Sequence, residues 1–350
     1  MLKFAGPLVG LLLGLWPLGG VSVESRQKSR IPGVLLPAPL SSMAPLSVDA
    51  GHFRYAMSKV PTDCVDPALS DYPDIKRNLA AIRSARLCYR REVVKEGSFS
   101  WEFHIFRHAK DRDGPFWLLP HDDENTAFEA AVYAVDTYGG GFLAIDSGQN
   151  RHVRGQDPNR NFSRTGGESM LCREQARPAP KYTAAVIGHF KGHRRFPYLS
   201  LHNNANRWAG DGGRGTISVS RRSSVLRGFS SGVATGEYRD EDNLVFIAGL
   251  RPYELDRQAQ RKVSALNRLG LNVVYKQVTS KSFNCSLSDY VIRNRLGDYY
   301  NVEAQHGRSK IQKGMIDRLM KYLGRRPVRG SPYDDNQFLG GSVPSSVSAR

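Results

Sequence analysis

Between residues 116 and 323, short apolar runs of strand type alternate with segments of helical spacing, and this alternation limits the possible folds more than any other feature. Residues 116–119 (FWLL) and 142–145 (FLAI) read as strands, with a helix over 126–138 between them that stops at Gly139, Gly140 and Gly141. Residues 198–201 (YLSL), 244–248 (LVFIA) and 271–275 (LNVVY) repeat the short apolar type, and 253–269 has helical spacing. Ile311, Met315, Leu319 and Leu323 then recur every fourth residue within 309–323, and Gly324 supplies a stop. Strands alternating with helices predict an α/β fold, a mixed β-sheet flanked by helices. In such sheets ligands sit beyond the carboxyl ends of strands, so polar residues that follow the apolar runs are the first candidates for a site.

The chain ends differ in composition from this body. Lys3 precedes an apolar run of fifteen residues, 4–18, broken by Gly and Pro and followed by small residues. A membrane span needs about 20 apolar residues, so residues 1–23 are expected to be a secretory signal and the chain to be exported, periplasmic or secreted. Residues 24–50 read as a Pro/Ser-rich linker, 51–326 as one folded catalytic domain, and 327–350 as a loose tail. Cys64, Cys88, Cys172 and Cys285 are compatible with two disulfides in an exported chain, with three pairings open.

Charge narrows the partner. Fifty Lys and Arg against thirty-three Asp and Glu give a net charge of +17, and about fifteen of those charges fall in residues 51–326. A folded body this basic predicts an anionic partner. For an exported chain that partner is not expected to be nucleic acid. A carboxylate-rich molecule fits better.

Two of the strand-type runs end on histidine. His121 follows FWLLP, with Glu124 three residues on, and His202 follows YLSL. Two histidines and a carboxylate form the three-ligand set of a catalytic zinc whose fourth position stays open. Between them lies the segment DPNRNF, in which Arg160 offers a planar fork for a carboxylate and Asn159 offers amide donors. Glu303 ends the β-type run 299–303, where a buried carboxylate is suited to take a proton from an attacking water.

The ordered set of His121 and Glu124, Asn159 and Arg160, His202 and Glu303 resembles the zinc carboxypeptidase superfamily over roughly residues 100–325. Its compact ligand spacing is closer to the short amidase and amino-acid deacylase members than to the digestive enzymes. DPNRNF and SDYVIRNRLGDYYNVEAQHG carry the resemblance most sharply, and Asp289 precedes Glu303 by fourteen residues as in that family. The resemblance implies one Zn2+ per chain held by His121, Glu124 and His202, with Glu303 as general base. It also implies a substrate carboxylate held by Asn159 and Arg160, and an arginine that polarises the scissile carbonyl. Arg151 and Arg154 both fit the last role. Two departures stand out: Asp122 occupies a position that is commonly glycine, and no tyrosine lies near position 281 to cap the substrate, leaving Tyr275 and Tyr290.

The expected function is an exported zinc-dependent amide hydrolase acting next to a free carboxylate, with peptidoglycan stem peptide, a muropeptide, as the favoured substrate. A general peptide carboxypeptidase and an N-acyl-amino-acid deacylase are the near alternatives. A non-catalytic binder of cell-wall polymer or another polyanion is the alternative of a different class. Other features read as structural: His189 and His193 as a basic surface turn, residues 240–242 as a solvated turn, and the three glycines as a helix end rather than a phosphate cradle. GxSxG is absent.

Overall fold

A computed structural model describes residues 64–163, 172, 178–205 and 217–328. The expected signal and linker lie outside the described residues, as does the tail beyond residue 328. The chain begins with helix α1 (Pro73–Ser84) and a hairpin of β1 (Leu87–Glu96) and β2 (Phe99–His108). Next come β3 (Phe116–Leu119), α2 (Asn125–Tyr138), β4 (Gly141–Asp146), α3 (Pro180–Phe190) and β5 (Tyr198–Asn204). The remainder is β6 (Leu226–Phe229), β7 (Leu244–Gly249), α4 (Arg257–Arg268), β8 (Asn272–Gln277), α5 (Leu287–Arg293), β9 (Tyr299–Gln305) and α6 (Ser309–Tyr322).

The strands form one mixed sheet in the order β1-β2-β4-β3-β5-β9-β7-β8-β6. Its centre, β4-β3-β5-β9, is parallel, and β7 joins β9 antiparallel. The mixed sheet flanked by helices matches the sequence expectation. Alternation along each strand divides the interior into two layers. Trp117, Leu119, Leu199, Leu201, Tyr300 and Val302 pack with α1, α2, α4 and α6. Phe116, Leu118, Leu143, Ile145 and Tyr299 pack on the other face with α3 and α5.

Local chemistry sets the helix ends. Asp256 caps α4 by accepting from the amides of Gln258 and Ala259 at 3.1 and 2.9 Å, and Ala259, Val263 and Leu266 form its buried stripe. The expected single helix over 253–269 is therefore a short 3-10 turn, Tyr253–Leu255, followed by α4. Gly140 turns the chain from α2 into β4 at φ 79°, and a Cβ there would lie 1.9 Å from the Pro115 carbonyl oxygen.

Cys64 pairs with Cys88 and Cys172 with Cys285, which selects one of the three pairings. No described helix is long and apolar enough to cross a membrane. Two expectations are corrected. His193 is 4% exposed and Asp242 fully buried, so neither belongs to a solvated turn. Each satisfies groups beneath the surface: His193 bonds the Gly114 carbonyl, and the Asp242 carbonyl accepts from Asn204 Nδ2.

Candidate metal centre

His121 lies two residues past the end of β3, and Glu124 is the residue just before α2. His202 lies within β5, which runs three residues further than the apolar pattern implied. All three side chains are buried, and their candidate donor atoms lie within 4.8 Å of one another. His121 Nδ1 stands 2.8 Å from Glu124 Oε1, and His202 Nδ1 stands 3.1 Å from both Glu124 Oε2 and His121 Nδ1. Asp157 Oδ1 faces His121 Nε2 at 2.9 Å. A proton on Nε2 donated to that carboxylate leaves the lone pair of Nδ1 aimed at the centre. The Nδ1 lone pair of His121 and the Glu124 carboxylate then converge on one point beside His202 Nδ1, and two such acceptors repel unless a cation or proton lies between them. The donor set therefore fits a metal ion, and imidazole with carboxylate suits zinc.

The electrostatics agree. Burial opposes the charge on Glu124, but His121 and His202 outweigh it and hold its pKa well below the ordinary value. Burial also works against charge on His121, yet Glu124 and the Asp157 hydrogen bond raise its pKa. Asp157 itself is kept ionised, since His121, Arg160 and Arg151 together overcome its desolvation. Asp157 stood within the DPNRNF segment, but no role was legible for it until the fold brought it against His121.

Glu303 on β9 is the register partner of His202 on β5, so the two side chains leave the same face of adjacent parallel strands. Asn301 Nδ2 donates to Glu303 Oε1 at 2.7 Å. Burial raises the Glu303 pKa and the charge of Glu124 adds to it, while His202, Asn301 and Arg151 oppose the rise. A carboxyl raised in this direction beside a candidate metal site suits general acid–base chemistry.

Of the two candidate arginines, Arg151 reaches the centre. Its Nη1 donates to Glu124 Oε1 at 3.1 Å, and its Nε lies 3.8 Å from Asp157 Oδ2. Arg154 is exposed at φ 49° in the narrow turn closed by the Val153–Gln156 bridge. Asn159 accepts at Oδ1 from the Leu287 amide (3.1 Å), and its Nδ2 lies 3.4 Å from His202 Nε2, a long contact. Arg160 is half-buried beside it and donates from Nη1 to the Asn159 carbonyl at 2.8 Å.

Other candidates have structural partners. Asp289 is fully buried and bonded by Lys276 Nζ at 2.7 and 2.8 Å. Tyr275 belongs to the layer packed by α2 and α6, on the opposite face of the sheet from Glu303, so it cannot cap a substrate there. Tyr290 packs beside Phe162 in the other layer, 6.2 Å between ring centroids. A second His/carboxylate group, Glu102, His104 and Asp146, is met by protein: Arg91 bonds Glu102, and His104 bonds Asp146 and Tyr89.

No family model matches the chain, and no curated protein sequence matches it. Among solved structures it is similar to a candidate metallopeptidase from Shewanella denitrificans OS217. The identity is 11%, covering 71% of this chain and 89% of that one, at a TM-score of 0.39. It is also similar to a metallo-carboxypeptidase from Burkholderia cenocepacia, at 13% identity over 71% of this chain and 69% of that one, with a TM-score of 0.36. Overlap at these values is slight.

Proposed function

We propose that the chain is a zinc-dependent hydrolase that cleaves an amide next to a free carboxylate. The observation that carries this reading is the convergence of His121 Nδ1, Glu124 and His202 Nδ1 on one buried point, with Glu303 in register with His202. His121, Glu124 and His202 would hold one Zn2+, which when bound supplies a Lewis acid for the carbonyl and acidifies water. Glu303 takes the proton of the attacking water and returns it to the departing amine nitrogen. Arg151 lies where its positive charge can meet the developing oxyanion. Asn159 and Arg160 hold the substrate carboxylate through charge-assisted hydrogen bonds.

A peptidoglycan stem peptide outside the cytoplasm is the favoured substrate, because it carries several carboxylates and the body of the chain is strongly basic. Two disulfides suit an oxidising compartment. The test is to measure zinc per chain, then incubate the protein with defined muropeptides, ordinary peptides and N-acyl-amino acids and identify the products by mass. One zinc per chain and cleavage beside a free carboxylate are expected. A chain that neither contains nor takes up zinc overturns the reading. Salt-sensitive polymer binding untouched by His121→Ala then supports a non-catalytic binder.

A further inference from the structure

Asp122, between His121 and Glu124, is only 1% exposed, yet its carboxylate does not face the candidate ligands' common point. It faces the turn after β4. Asp122 Oδ2 accepts from the backbone amides of Ser147 at 2.9 Å and Gln149 at 2.7 Å, and Oδ1 accepts from Gln149 Nε2 at 3.0 Å. Among the described residues, every hydrogen bond from residues 147–149 to residues 121–124 ends on Asp122. The turn needs such a tether. Gly148 and Gln149 both adopt positive φ, 68° and 62°, and for glutamine that conformation is unfavourable unless external bonds hold it. Arg77 adds a further bond to Gln149 Oε1 at 3.0 Å. Two residues beyond Gln149, Arg151 donates to Glu124.

We infer that Asp122 is a positioning residue, which anchors the 147–149 turn to the ligand-bearing segment and so carries Arg151 to the mouth of the metal centre. The carboxylate suits this work because two backbone amides, the Gln149 side-chain amide and the Tyr72 hydroxyl all donate to it, and an acceptor-only group takes them all. Glycine or alanine at 122 would leave these donors to water and the turn free to unwind. The same tether separates the two arginines. Arg151 lies two residues from the anchored turn, whereas Arg154 lies beyond it in its own reverse turn. The effect on turnover rests on the hydrolase reading, but the tether itself does not.

The experiment uses the zinc-loaded full chain and the variants Asp122→Asn, Gln149→Ala, Arg151→Ala and Asp122→Asn/Arg151→Ala. Amide exchange across 147–149 is expected to quicken by about tenfold or more in Asp122→Asn, less in Gln149→Ala, and not at all in Arg151→Ala. With an N-acetylated tripeptide bearing a free C-terminus as probe, kcat should fall about tenfold in Asp122→Asn with zinc content unchanged. The double variant should be no slower than Arg151→Ala alone. Unchanged exchange in Asp122→Asn, or losses that multiply in the double variant, would overturn the inference. If Asp122→Asn does not fold, exchange in Gln149→Ala decides, because its half-buried side chain can be lost without emptying the core. If the wild type cleaves no peptide, the hydrolase reading fails separately and exchange still judges the tether.

Discussion

His202 and Glu303 are Cα partners across the β5–β9 pair, although they are 101 residues apart in sequence. Parallel pairing sends partner side chains to the same face, so this register alone sets a candidate base beside a candidate ligand. A slip of one residue in β9 would turn Glu303 into the layer packed by α1, α2, α4 and α6 and bring a neighbour such as Val302 in its place.

Glu303→Gln keeps the shape and removes the proton acceptor. Hydrolysis is expected to fall by about 10²–10⁴-fold while zinc stays bound, because general acid–base catalysis is worth that much and Glu303 is not a ligand. Turnover and zinc content measured on one preparation check this. Equal loss of both would make Glu303 part of the metal site instead.

The pH profile follows from Glu303. Its carboxyl is raised chiefly by burial, so kcat/KM should decline on acidification at a pH above the ordinary carboxylate range. The Asn301 hydrogen bond favours the charged form and holds the value down. Asn301→Leu should therefore move the acid limb to higher pH, and an unmoved limb would assign it to another group.

Acid should also destabilise the fold through His193. Its Nδ1–H donates to the Gly114 carbonyl at 2.6 Å and its Nε2 accepts from Arg107 at 2.7 Å, so the neutral ring is fully bonded. Burial is the main cause that lowers its pKa from 6.5 to about 4, with Arg107 adding to it. For a depressed pKa the stabilisation is complete above the unfolded value of 6.5 and is lost as pH falls towards about 4, a contribution of up to about 3 kcal/mol. Denaturant midpoints measured across that window should drop, and His193→Gln should flatten the drop.

The Cys172–Cys285 bridge closes a sequence separation of 113 residues, and the Cys285 carbonyl accepts from the Phe162 amide at 2.9 Å beside DPNRN. Replacing both cysteines by alanine should cost about 2–5 kcal/mol, since the unfolded chain regains a long loop. Thermal unfolding measures it. A change confined to the Cys64–Cys88 pair, which closes 24 residues, should cost less on the same entropic ground.

Sequence by itself carried the fold class and the ordered set of candidate ligands. Those features are local: apolar periods over single strands and helices, and polar residues directly after them. It missed β1, where LCYRREVVKE at the sheet edge interleaves charges with apolar residues because one side faces water. It also read His193 as a surface residue, since nothing in GHFKGHRR reveals that Arg107 and Gly114 close over the ring. Only the tertiary structure decided which arginine reaches the centre, which cysteines pair, and that Asp157 and Asp122 serve His121 and the 147–149 turn. Each of these depends on contacts across tens of residues. Their geometry comes from strand register and loop return, which no local pattern of side chains encodes.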